Sequence, residues 1–159
     1  SHLETPFDDR SMEEIQCRDL VPFRKLATSL DAVMPAHIVF PNIDENAVGF
    51  SPFWLQQVLR TELQFNGVIL SDDLSMKGAD VAGSYADKTR CALHAGCDMV
   101  LVCNHREGAL EVLDYLSSAD VVPSSRLASM AGKAKVNWDN LVNSDRWLST
   151  HAELNALLN

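Results

Sequence analysis

Three short apolar runs, residues 30–37, 67–71 and 97–104, constrain this chain more than anything else in it, because each is nearly continuous rather than alternating and each is followed by a helical pattern. Continuous apolar runs are what strands of a parallel sheet need when both faces are covered by helices. The sequence therefore predicts an α/β fold in which a βα unit recurs three times. After the first run, Ser51-Pro52 is an N-cap and first-turn pair for a helix carrying Trp54, Leu55, Val58, Leu59 and Leu63, closed at Asn66-Gly67. After the second, a helix over 84–94 ends at Gly96, and after the third Ala109, Leu110, Leu113 and Leu116 repeat at helical spacing. Helix-to-strand turns are short and strand-to-helix loops long, which places function at the carboxyl ends of the strands.

Upstream, Ser11 and Glu14 form a capping-box pattern for a helix reaching Asp19, and Pro22 opens a second helical piece through Phe23, Leu26 and Ala27. Downstream, residues 124–133 and 137–158 read as helices, with Trp138, Leu141, Trp147, Leu148, Leu154 and Leu157 packing over the outside of the α/β layer. The chain is expected to be one partial domain over residues 1–159.

The second run leads directly into Ser71-Asp72-Asp73-Leu74-Ser75-Met76. Carboxylates at a strand end are candidates for chemistry at a sheet rim, and Asp72 is the foremost of them. The same pattern also suits plain helix capping, with Asp73 or Ser75 starting a helix near Met76. Asn104, ending the third run, is open to the same two readings. His37 at the end of the first run reads as a core histidine, and Met34 in that run as core or as pocket lining.

The net charge of −9, from 22 acidic against 13 basic residues, excludes a phosphate-backbone footprint, so nucleic acid is not an expected partner. Cys17, Cys91, Cys97 and Cys103 form no CxxC pair and fall within expected helices or strands, which suits buried thiols in a reducing compartment. His94, His105 and His151 lack partner spacing, so no metal or cofactor is expected. The longest apolar run, residues 99–103, is too short to span a bilayer, and the expected location is the cytoplasm.

Residues 65–76 (FNGVILSDDLSM), 30–37 (LDAVMPAH) and 95–104 (AGCDMVLVCN) resemble, in order, the bacterial β-N-acetylglucosaminidases of glycoside hydrolase family 3, cytoplasmic enzymes of cell-wall recycling. The resemblance implies the last part of a (β/α)8 barrel, strands six to eight, and a retaining glycosidase that releases N-acetylglucosamine from peptidoglycan turnover products such as GlcNAc-anhydro-MurNAc. It makes Asp72 the nucleophile. It maps Ser1-His2 onto the end of an Asp-Ser-His triplet on a mobile loop after the fifth strand, with His2 as general acid/base; in such an enzyme Met34 is a candidate to line the N-acetyl pocket through its thioether, with plain core the alternative. The family's first five strands and the aspartate before Ser1 are not in this sequence, so the resemblance implies a fragment whose N-terminal part is missing or is carried by a companion chain. Two other classes remain at this point. A phosphoacceptor module would want a lysine where Asn104-His105 stands, and a non-catalytic half barrel would serve only as an assembly partner.

Overall fold

The structure is a computed structural model and describes residues 2–132 and 136–157. Its centre is a parallel sheet in the order β1 (Ala32–Val33), β4 (Val68–Asp73), β5 (Met99–Leu101). The three expected strands are thus contiguous and parallel. A two-stranded antiparallel hairpin, β2 (Val39–Phe40) and β3 (Asp44–Ala47), sits between the first two units and was not anticipated. Its turn contains Pro41-Asn42, residues that favour reversal of the chain.

Strand limits differ from the apolar runs for physical reasons. β1 covers only two residues of 30–37, since Pro35 has no N–H to give a ladder. β5 covers only three of 97–104. Cys97 N still bonds back to Ala92 O, and donors at and beyond the end of β5 turn to side chains: Leu101 N to Ser71 Oγ at 2.9 Å and Cys103 N to Asp73 Oδ1 at 2.9 Å. Side-chain acceptors on β4 replace carbonyls there, and the register shifts between Leu70 and Asp73.

Capping signals translate directly. Ser11 and Glu14 form their capping box at the start of α1 (Met12–Cys17), and α2 (Leu20–Leu26) follows. Ser51 Oγ accepts from Trp54 N at 3.1 Å, and Phe53–Glu62 winds as a π-helix with Leu63 N reaching Val58 O, five residues back, at 2.9 Å. α3 (Tyr85–Ala95) begins with a Ser84–Asp87 capping box and stops at Gly96, whose φ of +120° a side chain rarely adopts. α4 (Arg106–Ser118) is capped not by Asn104 but by His105, whose Nδ1 accepts from Gly108 N at 2.9 Å.

Phe65, Leu55, Ile69 and Leu74 are fully buried between the sheet and its helices, each worth about 1.5–3 kcal/mol of transfer free energy. Polar wiring closes the bottom of the sheet. Asp98, just before β5, accepts from Arg60 at 2.8 Å, Ile69 N at 2.8 Å and Ser124 Oγ at 2.5 Å.

The C-terminal helices depart from expectation. Residues 124–133 yield a 3₁₀ helix, Ser125–Met130, with Lys133 outside the described residues. The expected helix over 137–158 is two, α5 (Trp138–Val142) and α6 (Asp145–Leu157), with Leu158 outside the described residues. Trp138 and Trp147 meet edge to face at 5.4 Å, while Trp138, Leu148 and Leu157 are exposed rather than laid over the α/β layer. No helix among the described residues is long and apolar enough to cross a membrane.

Candidate active site

β4 ends in the two aspartates, and the structure treats them differently. Asp73 is fully engaged. Its Oδ1 accepts from Ser75 N and from Cys103 N, both at 2.9 Å, and its Oδ2 accepts from Ser75 Oγ at 2.7 Å. Burial by itself would raise its pKa, but these hydrogen bonds outweigh burial and hold the carboxyl below its ordinary value. Asp73 is therefore a clamp between the β4 turn and the chain leaving β5. It does not cap a helix: the 3₁₀ turn Lys77–Ala82 that follows starts at Met76 without a side-chain cap.

Asp72 is half-buried, and one oxygen, Oδ1, accepts from Asp73 N at 2.8 Å. The other oxygen has no hydrogen-bond partner among the described residues. A strand holds the backbone, and a local bond fixes the carboxylate's orientation.

The clamp has a measurable signature. A carboxyl whose folded pKa lies below its unfolded value of about 3.9 contributes stability that is complete above that value and lost as the pH falls through the folded one. Asp73→Asn should therefore flatten the part of the acid-unfolding profile below about pH 4. Urea midpoints measured from pH 2 to 6 for both proteins check this, and superimposable slopes would contradict it.

His37 is completely buried and lies beneath the same turn. Its Nε2 is 3.1 Å from Asp73 O, and since a carbonyl can only accept, Nε2 carries the proton. Burial lowers its pKa, and Nδ1 is left buried without a hydrogen-bond partner among the described residues. His37 was expected as an ordinary core histidine; its link to Asp73 was not legible. Lys88 was missed altogether. It is 3% exposed, and its Nζ donates to Leu74 O at 2.9 Å and Asp80 Oδ1 at 2.7 Å and lies 4.8 Å from the Tyr85 ring centroid. Its spacing from Tyr85, Ala92 and Ala95 puts it on the buried face of α3, a signal present in the sequence.

Met34 follows β1 directly and is about half exposed, so it is not core. It borders an apolar cavity of about 260 Å³ shared with Phe23, Val33, Trp54 and Val58. Asn104 is exposed in the left-handed region, φ +56°, which asparagine tolerates better than most residues. Beside it, His105 stacks on Tyr85 at 5.1 Å. His2 is exposed and makes no hydrogen bond among the described residues, but the segment behind it is tied toward the site. Thr5 Oγ1 donates to Gly78 O at 3.3 Å, within the turn that follows Asp72, and Phe7 bridges Val39. Among the described residues no group of three or more His, Cys, Asp or Glu side chains is arranged to hold a metal. All four cysteines are free; Cys17 and Cys103 are exposed, and Cys103 lies beyond β5 rather than in it.

This arrangement can be set against known proteins. A beta-hexosaminidase of Tolumonas auensis is 51% identical over 152 residues, covering 94% of this chain and 45% of its own length. One of Haemophilus influenzae is 44% identical over 161 residues, covering 97% and 46%. The crystal structure of NagZ from Neisseria gonorrhoeae in complex with N-trifluoroacetyl-D-glucosamine aligns with a TM-score of 0.71 at 34% identity, over 100% of this chain and 46% of that one. The chain thus spans about half the length of the curated relatives it matches. Its fold is accordingly α/β, part of a (β/α)8 barrel with three parallel strands, followed by C-terminal helices. The family model for the glycosyl hydrolase family 3 N-terminal domain matches residues 1–134, through both aspartates of β4 and the whole parallel sheet, and the chain belongs to that family.

Proposed function

We propose that this chain is the nucleophile-bearing part of a retaining β-N-acetylhexosaminidase, in which Asp72 attacks the anomeric carbon of a terminal N-acetylglucosamine. The observation that carries the reading is the division of labour in β4: Asp73 has both oxygens occupied, and Asp72 has one oxygen held and one open.

In the first step an Asp72 oxygen bonds to the anomeric carbon, the glycosidic C–O bond breaks, and the leaving oxygen takes a proton from His2. In the second, His2 removes a proton from water, whose oxygen displaces the aspartate. Most retaining enzymes use a second carboxyl for the proton transfers. A histidine suits the role because an imidazole nitrogen can give a proton in the first step and take one in the second. The tie from Thr5 to Gly78 supports this role, because it holds the segment behind His2 against the turn after Asp72. Met34, half exposed beside β1, would contact the N-acetyl group through its thioether.

We further propose that residues 1–159 supply strands six to eight and that the rest of the barrel comes from the N-terminal part of the protein. The outer edges of β1 and β5 carry no partner strand among the described residues, and parallel strands with open edges are a liability in water. The biological substrate class would be peptidoglycan turnover products such as GlcNAc-anhydro-MurNAc, processed in the cytoplasm.

The leaving group tests the assignment of His2. In the full-length protein, His2→Ala should slow N-acetylglucosaminides with poor leaving groups far more than activated aryl glycosides, which scarcely need protonation. Equal losses on both would assign His2 to binding instead.

A further inference from the structure

The residues that follow Asp72 expose two successive carbonyls, those of Asp73 and Leu74, and each is met by a buried side chain from a different element. His37 Nε2, completely buried and just past β1, donates to Asp73 O at 3.1 Å. Lys88 Nζ, on α3 and 3% exposed, donates to Leu74 O at 2.9 Å. The amides of the same two residues are also committed, Asp73 N to the Asp72 carboxylate and Leu74 N to Leu101 O, both through bonds of 2.8–2.9 Å. Lys88 extends the fastening outward, since its second bond, 2.7 Å to Asp80 Oδ1, anchors the 3₁₀ turn, and that contact with Lys88 is the foremost reason the Asp80 carboxyl lies below its ordinary pKa.

Burying an ammonium and a histidine is costly, and both are retained at one turn. His37 also leaves Nδ1 without a hydrogen-bond partner among the described residues, a further cost of burying this ring. Buried polar groups kept at such expense beside a reacting group specify its geometry. We propose that Lys88 and His37 are positioning residues that act on Asp72 by fixing the Asp73 and Leu74 carbonyls, so that the nucleophile turn is preorganised before substrate arrives. Neither touches the sugar. The inference rests on the assignment of Asp72 as nucleophile, and it extends that assignment to the elements that aim the carboxylate.

Misplacing a nucleophile by about 1 Å costs on the order of 10²-fold in rate while leaving ground-state binding largely intact. In the full-length protein, assayed on an activated aryl N-acetylglucosaminide, His37→Leu removes the donor while keeping a buried apolar group against Phe50, and Lys88→Met does the same over Tyr85. Each should lower kcat by roughly 10- to 100-fold with KM changed by less than about 3-fold. Lys88→Arg and His37→Gln, which can still donate to the same carbonyls, should recover most of the rate. That rescue separates positioning from mere stability. If Lys88→Met does not fold, the pair His37→Leu and His37→Gln decides the matter. Unchanged kcat in the donor-less variants, or equal losses in donor-less and donor-keeping variants, overturns the proposal. An unmodified protein that does not cleave the glycoside, or an Asp72→Ala variant that cleaves it normally, would instead overturn the assignment on which the proposal rests.

Discussion

Asp72→Ala in the full-length protein should reduce turnover of an aryl N-acetylglucosaminide by about 10⁴-fold or more, because losing a nucleophile closes the covalent route and leaves only binding and the proton donor. The equivalent change at Asp73 should act differently. Its carboxylate accepts three hydrogen bonds, from Ser75 and Cys103, so its removal frees the turn and the end of β5, and the loss of rate should come with a loss of stability. A steady-state assay paired with thermal unfolding separates the two. Near-normal turnover by Asp72→Ala would move the nucleophile elsewhere.

The second large effect belongs to stability alone. The Asp98 side chain is 5% exposed and gathers Arg60, the Ile69 amide and Ser124 at the start of β5. Asp98→Ala leaves the Arg60 guanidinium, 11% exposed, without its carboxylate in a site where burial already depresses the arginine's pKa. Breaking one side of such a pair costs about 3–5 kcal/mol. Arg60 keeps two carbonyl partners, Phe65 O and Gly67 O, so the lower end, about 3 kcal/mol, is expected. The urea midpoint of the variant measures it. A change below about 1 kcal/mol would mean that the carbonyls suffice for Arg60.

The features legible in the sequence were those governed by local patterning. Apolar runs marked three parallel strands, and Ser11 and Ser51 marked two helix starts, because caps and periodicity act within a few residues. What escaped was settled by tertiary hydrogen bonding. The apolar run at 97–104 cannot reveal that Cys103 N is claimed by an aspartate thirty residues earlier, so β5 is shorter than its hydrophobicity suggests. The β2–β3 hairpin is too short and too polar, Asp44-Glu45-Asn46-Ala47, to register as strand. Trp138, Leu148 and Leu157 looked like packing residues because helical spacing shows that a face is apolar but not what meets it.

At the site, the sequence pointed to Asp72 for chemistry and offered Asp73 or Ser75 as a helix cap. What it could not show is that Asp73 caps no helix and instead braces the β4 turn through Ser75 and Cys103, while Asp72 accepts one local bond. Lys88 shows the converse. Its place on the buried face of α3 was written in the spacing, yet a lysine there is easily passed over, because lysine is rarely buried unless something claims its charge.

The most direct test of the account is to trap the covalent intermediate. A 5-fluoro-N-acetylglucosaminyl fluoride slows both steps by destabilising the oxocarbenium-like transition state, while its good leaving group lets the first step outrun the second. Incubated with the full-length protein and analysed by intact-mass and peptide mass spectrometry, it should add one fluorinated N-acetylglucosaminyl unit per molecule, on the peptide containing Asp72 and at that residue. An adduct on any other residue, or steady turnover of the reagent with no adduct in rapidly quenched samples, as attack by the sugar's own N-acetyl oxygen would give, would contradict the assignment of Asp72 as the nucleophile.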